Sequence, residues 1–307
     1  MRWSRLESLT IRQLRVFCTV SRLLSYTRAA EELGCQQPTV SALVAGLERV
    51  TQLTLLEQWG KRLALTDEGR ELYAHAQQAV AAADEAWQAM AELRGVATTE
   101  RAPLRLAADT TVGTYVMPHL LGDFHRRQPT IALSLRVVNR ADVRDCLLAG
   151  EVDLVIAGRP PEVAGLVAEP FLTNLLVAVA SPEHVLVGQS RITLARLAEE
   201  VFLLREEGSG TRAAVEELFE VVGIPLKVGM VLGHVEAIKR AVAARLGVSI
   251  LSALAVKREV QYHTLAILDV EQLPIQRRWY IARFAERPLT ASASVFIEFL
   301  HEYRLRN

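Results

Sequence analysis

Ser25-Tyr-Thr-Arg-Ala-Ala-Glu-Glu-Leu-Gly-Cys-Gln-Gln-Pro-Thr-Val-Ser41 reads as two short helices around a tight turn. Ser25 is suited to cap the first helix, whose apolar face is Ala29, Ala30 and Leu33. Gly34 ends it where a left-handed residue is wanted. The second helix opens at Gln36-Gln37-Pro38, because a proline in the first turn loses no hydrogen bond. Val40, Leu43, Val44 and Leu47 then recur at helical spacing, which leaves Gln37, Thr39 and Ser41 for the opposite face. Short polar groups at a helix N-terminus suit base edges and phosphates in a major groove, so the stretch is expected to be a DNA-binding helix-turn-helix.

The flanks extend this reading. Thr10-Ile-Arg-Gln13 is a capping box opening a first helix, with Leu14, Phe17 and Val20 facing the motif. Downstream, two apolar runs within Thr51–Thr66 flank Gly60-Lys61-Arg62, the pattern of a β-hairpin wing with two cations at its tip. The 307 residues carry no formal net charge, which does not advertise nucleic acid. Residues 1–65 nevertheless hold nine Arg and Lys against five Glu, so the head alone is basic. From Thr66 to Gly95 there is no proline, and Leu72, Ala76, Ala79, Ala83, Ala86, Met90 and Leu93 alternate by four and three. That spacing predicts a linker helix that dimerises as a coiled coil; a helix lying on its own domain is the alternative. Val96–Pro103 is read as a hinge.

Half the residues are hydrophobic, yet no run approaches the ~18 apolar residues of a membrane span. The first residues lack the apolar core of a signal peptide, and three cysteines show no metal-like spacing. A reduced, cytoplasmic chain with no membrane contact is expected, with Cys18 used for packing.

Residues 104–307 alternate strand and helix signals, which predicts α/β structure with largely parallel sheets. Ligands in such folds sit beyond the carboxyl ends of strands. Five segments match: Asp109–Thr114, Asn139-Arg140, Gly158-Arg159, Arg205–Arg212 and Gly233–Glu236. Their hydroxyls, glycines and arginines suit an anionic, oxygen-rich small molecule. Gly208-Ser-Gly-Thr-Arg-Ala213 also fits a loose dinucleotide fingerprint, but no acidic residue closes the following strand, Lys227–Leu232. Ser209 lacks the earlier glycine of a nucleophile elbow and no Ser/His/Asp set is legible, so catalysis is not expected.

Leu14–Phe17, Leu47-Glu48, Arg62–Thr66 and Glu68-Gly69 around the helix-turn-helix resemble the LysR-type transcriptional regulators. Gln36, Ala45, Gly46 and Gln58 depart from that family's usual residues and thin its phosphate contacts. Asn139–Val143, Ala157–Pro161, Ala168–Phe171, Arg205–Arg212, Glu236–Val242 and Leu273–Tyr280 resemble the subgroup controlling RuBisCO and Calvin-cycle operons. The resemblance implies a winged helix-turn-helix over 1–66, a dimerising linker helix over 67–95, a hinge over 96–103 and an effector domain over 104–307. The effector domain would have two lobes of the periplasmic-binding-protein type, about 104–162 with 272–307 and about 163–271. Pro160-Pro161 and Leu273-Pro274 are the expected crossings. Expected at DNA are Thr27, Gln36, Gln37, Pro38, Thr39, Ser41, Lys61 and Arg62. Expected at the effector are Thr110, Thr111, Asn139, Arg159, Arg205, Ser209, Thr211 and His234. The implied partners are promoter DNA, further copies of the chain as a dimer or tetramer, and RNA polymerase. The implied effector is a phosphorylated sugar, phosphoglycolate or NADPH, with no bound cofactor. Two other readings remain: a LysR-type regulator of aromatic or amino-acid metabolism, and a solute-binding α/β protein that does not touch DNA.

Overall fold

Thr10 accepts from the Gln13 N–H while the Gln13 side chain accepts from the Thr10 N–H, so the capping box forms and opens α1 (Ile11–Leu23). The computed structural model describes residues 9–59, 62–93, 101–148, 150–160, 163–287 and 289–306. Lys61, hinge residues 96–100 and Pro161 lie outside them. Ser25 caps α2 (Tyr26–Glu32), Gly34 takes φ 62°, and α3 (Gln37–Thr51) follows with Pro38 in its first turn. Phe17, Val20, Ala29, Val40, Val44 and Leu47 close a small core between the three helices. The wing is an antiparallel hairpin of β1 (Leu56–Trp59) and β2 (Arg62–Leu65). Glu48 ties α3 to it by accepting from the Leu55 N–H at 2.8 Å and the Leu56 N–H at 3.3 Å.

The linker helix, α4 (Asp67–Leu93), starts pressed against the wing. A Cβ on Gly69 would stand 2.0 Å from the Leu55 carbonyl oxygen, so only glycine allows that approach. Here the expected seam needs correction. Leu72, Ala76 and Ala79 pack into the core of the head itself, beside Phe17 and Tyr73. The alternative, a helix lying on its own domain, therefore describes the first half of α4. A stripe of period near 3.6 serves either purpose, and the head's apolar helices are the nearer surface. Farther along, Trp87 and Met90 are exposed.

The effector half is built on a mixed seven-stranded sheet. In chain order its strands are β3 (Arg101–Asp109), β4 (Ile131–Val138), β5 (Leu154–Gly158), β6 (Leu166–Ala180), β9 (Ser249–Ser252), β10 (Ala266–Ile267) and β11 (Ile275–Phe284). Across the sheet they run β10-β6-β11-β5-β3-β4, with β9 also paired to β6. Arg101–Pro103, expected in the hinge, already belong to β3. A separate parallel pair joins β7 (Phe202–Arg205) to β8 (Val228–Leu232). Between the strands run α5 (Thr110–Tyr115), α6 (Met117–Arg127), α7 (Val143–Leu148), α8 (Leu194–Ala198), α9 (Gly210–Val221) and α10 (Val235–Ala243). Parallel pairing holds for β3 with β4 and β5, whereas every pair involving β6 or β11 in the large sheet is antiparallel. The sheet is thus less parallel than its strand–helix alternation implies, because two long return strands run through it.

Those two strands also carry the crossings. β6 and β11 pair from Leu166↔Phe284 to Leu176↔Ile275, with a register shift between Arg278 and Tyr280. One end of the ribbon meets a core of Leu106, Phe124, Phe171, Trp279 and Phe296, and the other a core of Leu176, Leu204, Val215, Phe219 and Ile250. The first crossing therefore lies inside β6, between Phe171 and Leu176, rather than at Pro160-Pro161. Pairing with β11 along its length lets the chain pass between cores without a loop, so no proline is needed there.

Candidate functional sites: a recognition helix and an arginine-lined cleft

In the head, Thr27, Gln36, Gln37, Pro38 and Thr39 are exposed and Ser41 is half-buried. Gln36 makes no side-chain cap, which leaves its amide for an outside partner. Gln37 Nε2 donates to Ser41 Oγ at 2.9 Å, one turn on, so these two side chains stand as a pair on one face. Arg62 is exposed beside the tip of the wing, opposite Trp59. Gly46, a departure from the family pattern, sits where a Cβ would come 3.1 Å from Gln13 Nε2, so α1 and α3 approach closely there. Cys18 lies in the body of the head, and burial pushes its thiol up to about 12, an inert packing residue.

The cleft lies between the two effector cores. Its cavity is narrow, about 30 Å³, and opens to solvent. Thr110, Thr111, Asn139, Arg205, Ser209 and Thr211 line it, drawn from strand ends in both lobes. Arg159 and His234, expected with them, are absent from its lining. His234 instead sits exposed as the N-cap of α10, and the Arg159 carbonyl accepts from Arg140 Nε at 3.4 Å.

The cleft also contains Asp109 and Arg140, which belong to two of the strand-end segments without being singled out there, and Asn174, Arg277 and Arg278, which the strand-end reading passed over. Arg277 and Arg278 lie inside a strand rather than after one, on the ribbon that joins the lobes. Their only sequence signal was membership of Leu273–Tyr280.

Electrostatics sorts these arginines. Arg205 is 3% exposed and gives both Nε and Nη2 to the Glu206 carboxylate at 2.7 Å, with Thr110 Oγ1 3.5 Å from Nη2. Burial opposes ionisation of Glu206, but the Arg205 hydrogen bonds outweigh it and hold the carboxyl below its usual range. Arg205 is therefore largely neutralised by its neighbour. Arg277 is different. Burial and then the charge of Arg140 disfavour its cation, Asp109 favours it, and Arg159 adds further repulsion. Arg277 Nη1 donates to the Gly210 carbonyl, which aims the guanidinium at the opening of α9. Asp109 is held between backbone donors, accepting from the Gly158 N–H at 2.7 Å and the Val112 N–H at 3.3 Å. Burial raises its pKa, against the pull of those backbone donors and of the Arg277 charge. Half-buried arginines with surplus positive charge and planar forks are suited to a small oxyanion.

The lobes meet across this cleft. Asn139 Nδ2 donates to Glu206 Oε1 and to the Glu207 carbonyl, both at 3.1 Å. Gly208, at φ 79°, would bring a Cβ to 3.0 Å from Ala141 Cβ in the other lobe.

A winged helix-turn-helix on a linker helix, followed by a two-lobed domain with an anion-seeking cleft, defines an effector-responsive DNA-binding regulator. Residues 11–70 match the bacterial regulatory helix-turn-helix of the LysR family, and residues 97–304 match the LysR substrate binding domain. The chain belongs to the LysR family of transcriptional regulators. It is 42% identical over 95% of both chains to a RuBisCO operon transcriptional regulator of Allochromatium vinosum. It is 38% identical over 96% of both chains to the transcriptional activator CmpR of Synechocystis. Among solved structures, the Synechocystis CcmR regulatory domain in complex with 2-PG shares 40% identity at a TM-score of 0.64, covering 66% of this chain and 98% of that one. A full-length OxyR variant from Pseudomonas aeruginosa matches 95% of both chains at 26% identity and a TM-score of 0.77. The related proteins are regulators, and this chain is a regulator rather than an enzyme.

Proposed function

We propose that the chain controls carbon-fixation genes from the cytoplasm, binding promoter DNA as an oligomer and changing its output when a small phosphorylated acid enters the cleft. The observation that carries this reading is the excess of guanidinium charge from Arg140, Arg277 and Arg278 lining the cleft, where a phosphate or carboxylate would be held. The relatives named for the RuBisCO operon and the 2-PG complex of the CcmR domain support the same reading. Thr110, Thr111, Ser209 and Thr211 would supply hydroxyls to the other end of such a ligand, and Asn139 would fix the lobe angle. A small acid such as phosphoglycolate asks less room of the cleft than a whole dinucleotide such as NADPH, which would need the lobes wider apart. A dimer through the exposed end of α4, and contact with RNA polymerase once on DNA, complete the proposal. Calorimetry with 2-phosphoglycolate, ribulose bisphosphate, NADPH and an uncharged aromatic acid decides it. Binding of a phosphorylated compound that Arg277→Ala weakens at least tenfold is expected. Binding of the aromatic acid alone would remove the carbon-fixation reading while leaving the family untouched.

A further inference from the structure

Thr110 and Thr111 open the six-residue helix α5, whose first turn faces the cleft and whose last residue does something else. Val112 and Val116 anchor this segment in the first lobe. The Tyr115 ring leaves that lobe and packs in a cluster of the second, with Val179, Leu203, Val235, Ile238 and Leu251. Its hydroxyl donates to Glu236 Oε1 at 2.6 Å. Behind the ring stands Lys239, only 5% exposed, with its ammonium 5.3 Å from the ring centroid. That ammonium is held by Glu236 at 2.6 Å, Glu259 at 2.8 Å and the Ala255 carbonyl at 3.0 Å. A buried ammonium with three oxygen partners is a rigid post, and Glu236 is shared between the post and the tyrosine. Burial opposes the charge on Glu236, but Lys239 and Tyr115 hold its pKa down, so the acceptor stays ionised.

We infer that Tyr115, Glu236 and Lys239 form a latch between the lobes that lies outside the ligand's reach and sets effector affinity by holding the cleft closed. None of the three lines the cleft. Both ends of α5 are thus engaged across the lobe boundary: Thr110 lies 3.5 Å from Arg205 Nη2, and Tyr115 reaches Glu236. One short rigid helix cannot release one end without moving the other. Lobe closure is an equilibrium, and a contact made only when closed raises the competent fraction before any ligand arrives. Tyr115 is on this account a positioning residue.

The inference rests on the effector cleft proposed above, so the test has one arm without ligand. Tyr115→Phe keeps the ring and its packing while removing the hydroxyl; Glu236→Gln keeps an acceptor without the charge. In the ligand-free full chain, hydrogen exchange of the α5 amides is expected to quicken at least fivefold in either variant, with the melting temperature nearly unchanged in Tyr115→Phe and lowered in Glu236→Gln, which also takes a carboxylate from the buried Lys239. Exchange that stays at the wild-type rate overturns the latch, whatever the effector is. Calorimetry with 2-phosphoglycolate is expected to show binding weakened five- to tenfold in each single variant and little further in the double variant, because either change already breaks the contact between Tyr115 and Glu236. Affinities that multiply, or that match the wild type, overturn its role in affinity. If the wild type fails to bind 2-phosphoglycolate, the proposed effector falls and the exchange arm still judges the latch.

Discussion

Gly208 is the residue on which lobe closure leans hardest. Its left-handed φ of 79° strains any side chain, and the space where a Cβ would go is filled by Ala141 from the other lobe. Gly208→Ala should lower stability by about 1 kcal/mol or more through the backbone alone. It should also hold the lobes apart, so effector affinity should drop more than stability explains, and calorimetry beside thermal unfolding separates the two. Glu206 makes a prediction in pH. Its folded pKa lies below the ordinary 4.5, so its stabilising effect is present above pH 4.5 and is lost as pH falls through the depressed value. The melting-temperature gap between wild type and Glu206→Gln should therefore be widest near neutrality and shrink below pH 4.5; a gap constant from pH 3 to 7 would contradict the pairing with Arg205. Asp109, raised by burial, runs the other way: its contribution is present below its unfolded value and is lost as pH rises through the raised one. At this scale the sequence was informative where a residue follows a strand. Thr110, Asn139 and Arg205 could be picked out that way. Arg277 could not, since a charged residue in mid-strand looks like any solvated face until the partner lobe closes over it.

At the scale of elements, caps and periodicity read well and partners read poorly. Thr10, Ser25, Gly34 and Pro38 bound their helices as local chemistry requires, because those contacts span three or four residues. The linker helix shows the limit. Its apolar stripe announces a buried face but does not say against what, and for Leu72, Ala76 and Ala79 the answer is the chain's own head. The apolar side chains of α4 left most open for association lie in its later turns, where Trp87 is 73% exposed and Met90 57%. Trp87→Glu with Met90→Glu should shift the chain toward monomer and weaken DNA retention, since a single head reads one half-site. Light scattering checks this, and a variant that keeps its full mass would place the interface elsewhere. Ala79→Glu, in contrast, should unsettle the head by putting a charge against its core.

Over the whole molecule, the alternation of strands and helices was legible but the return path was not. Nothing local marks β6 as one fifteen-residue strand serving two cores; the pairing that makes it so is with residues a hundred positions away. Because β6 and β11 form the bridge, the lobes turn about a two-stranded ribbon, and Arg277 and Arg278 ride on that ribbon. Residues on an axle travel little when the parts it carries swing. The open molecule therefore already offers most of its cationic lining to an incoming anion, and closure adds the hydroxyls afterwards. Capture and commitment become separate events in time: a fast encounter governed by charge, and a slower unimolecular turn governed by the strands. Stopped-flow traces should show a slow phase whose rate levels off at high effector concentration, and added salt should slow the first event far more than the second.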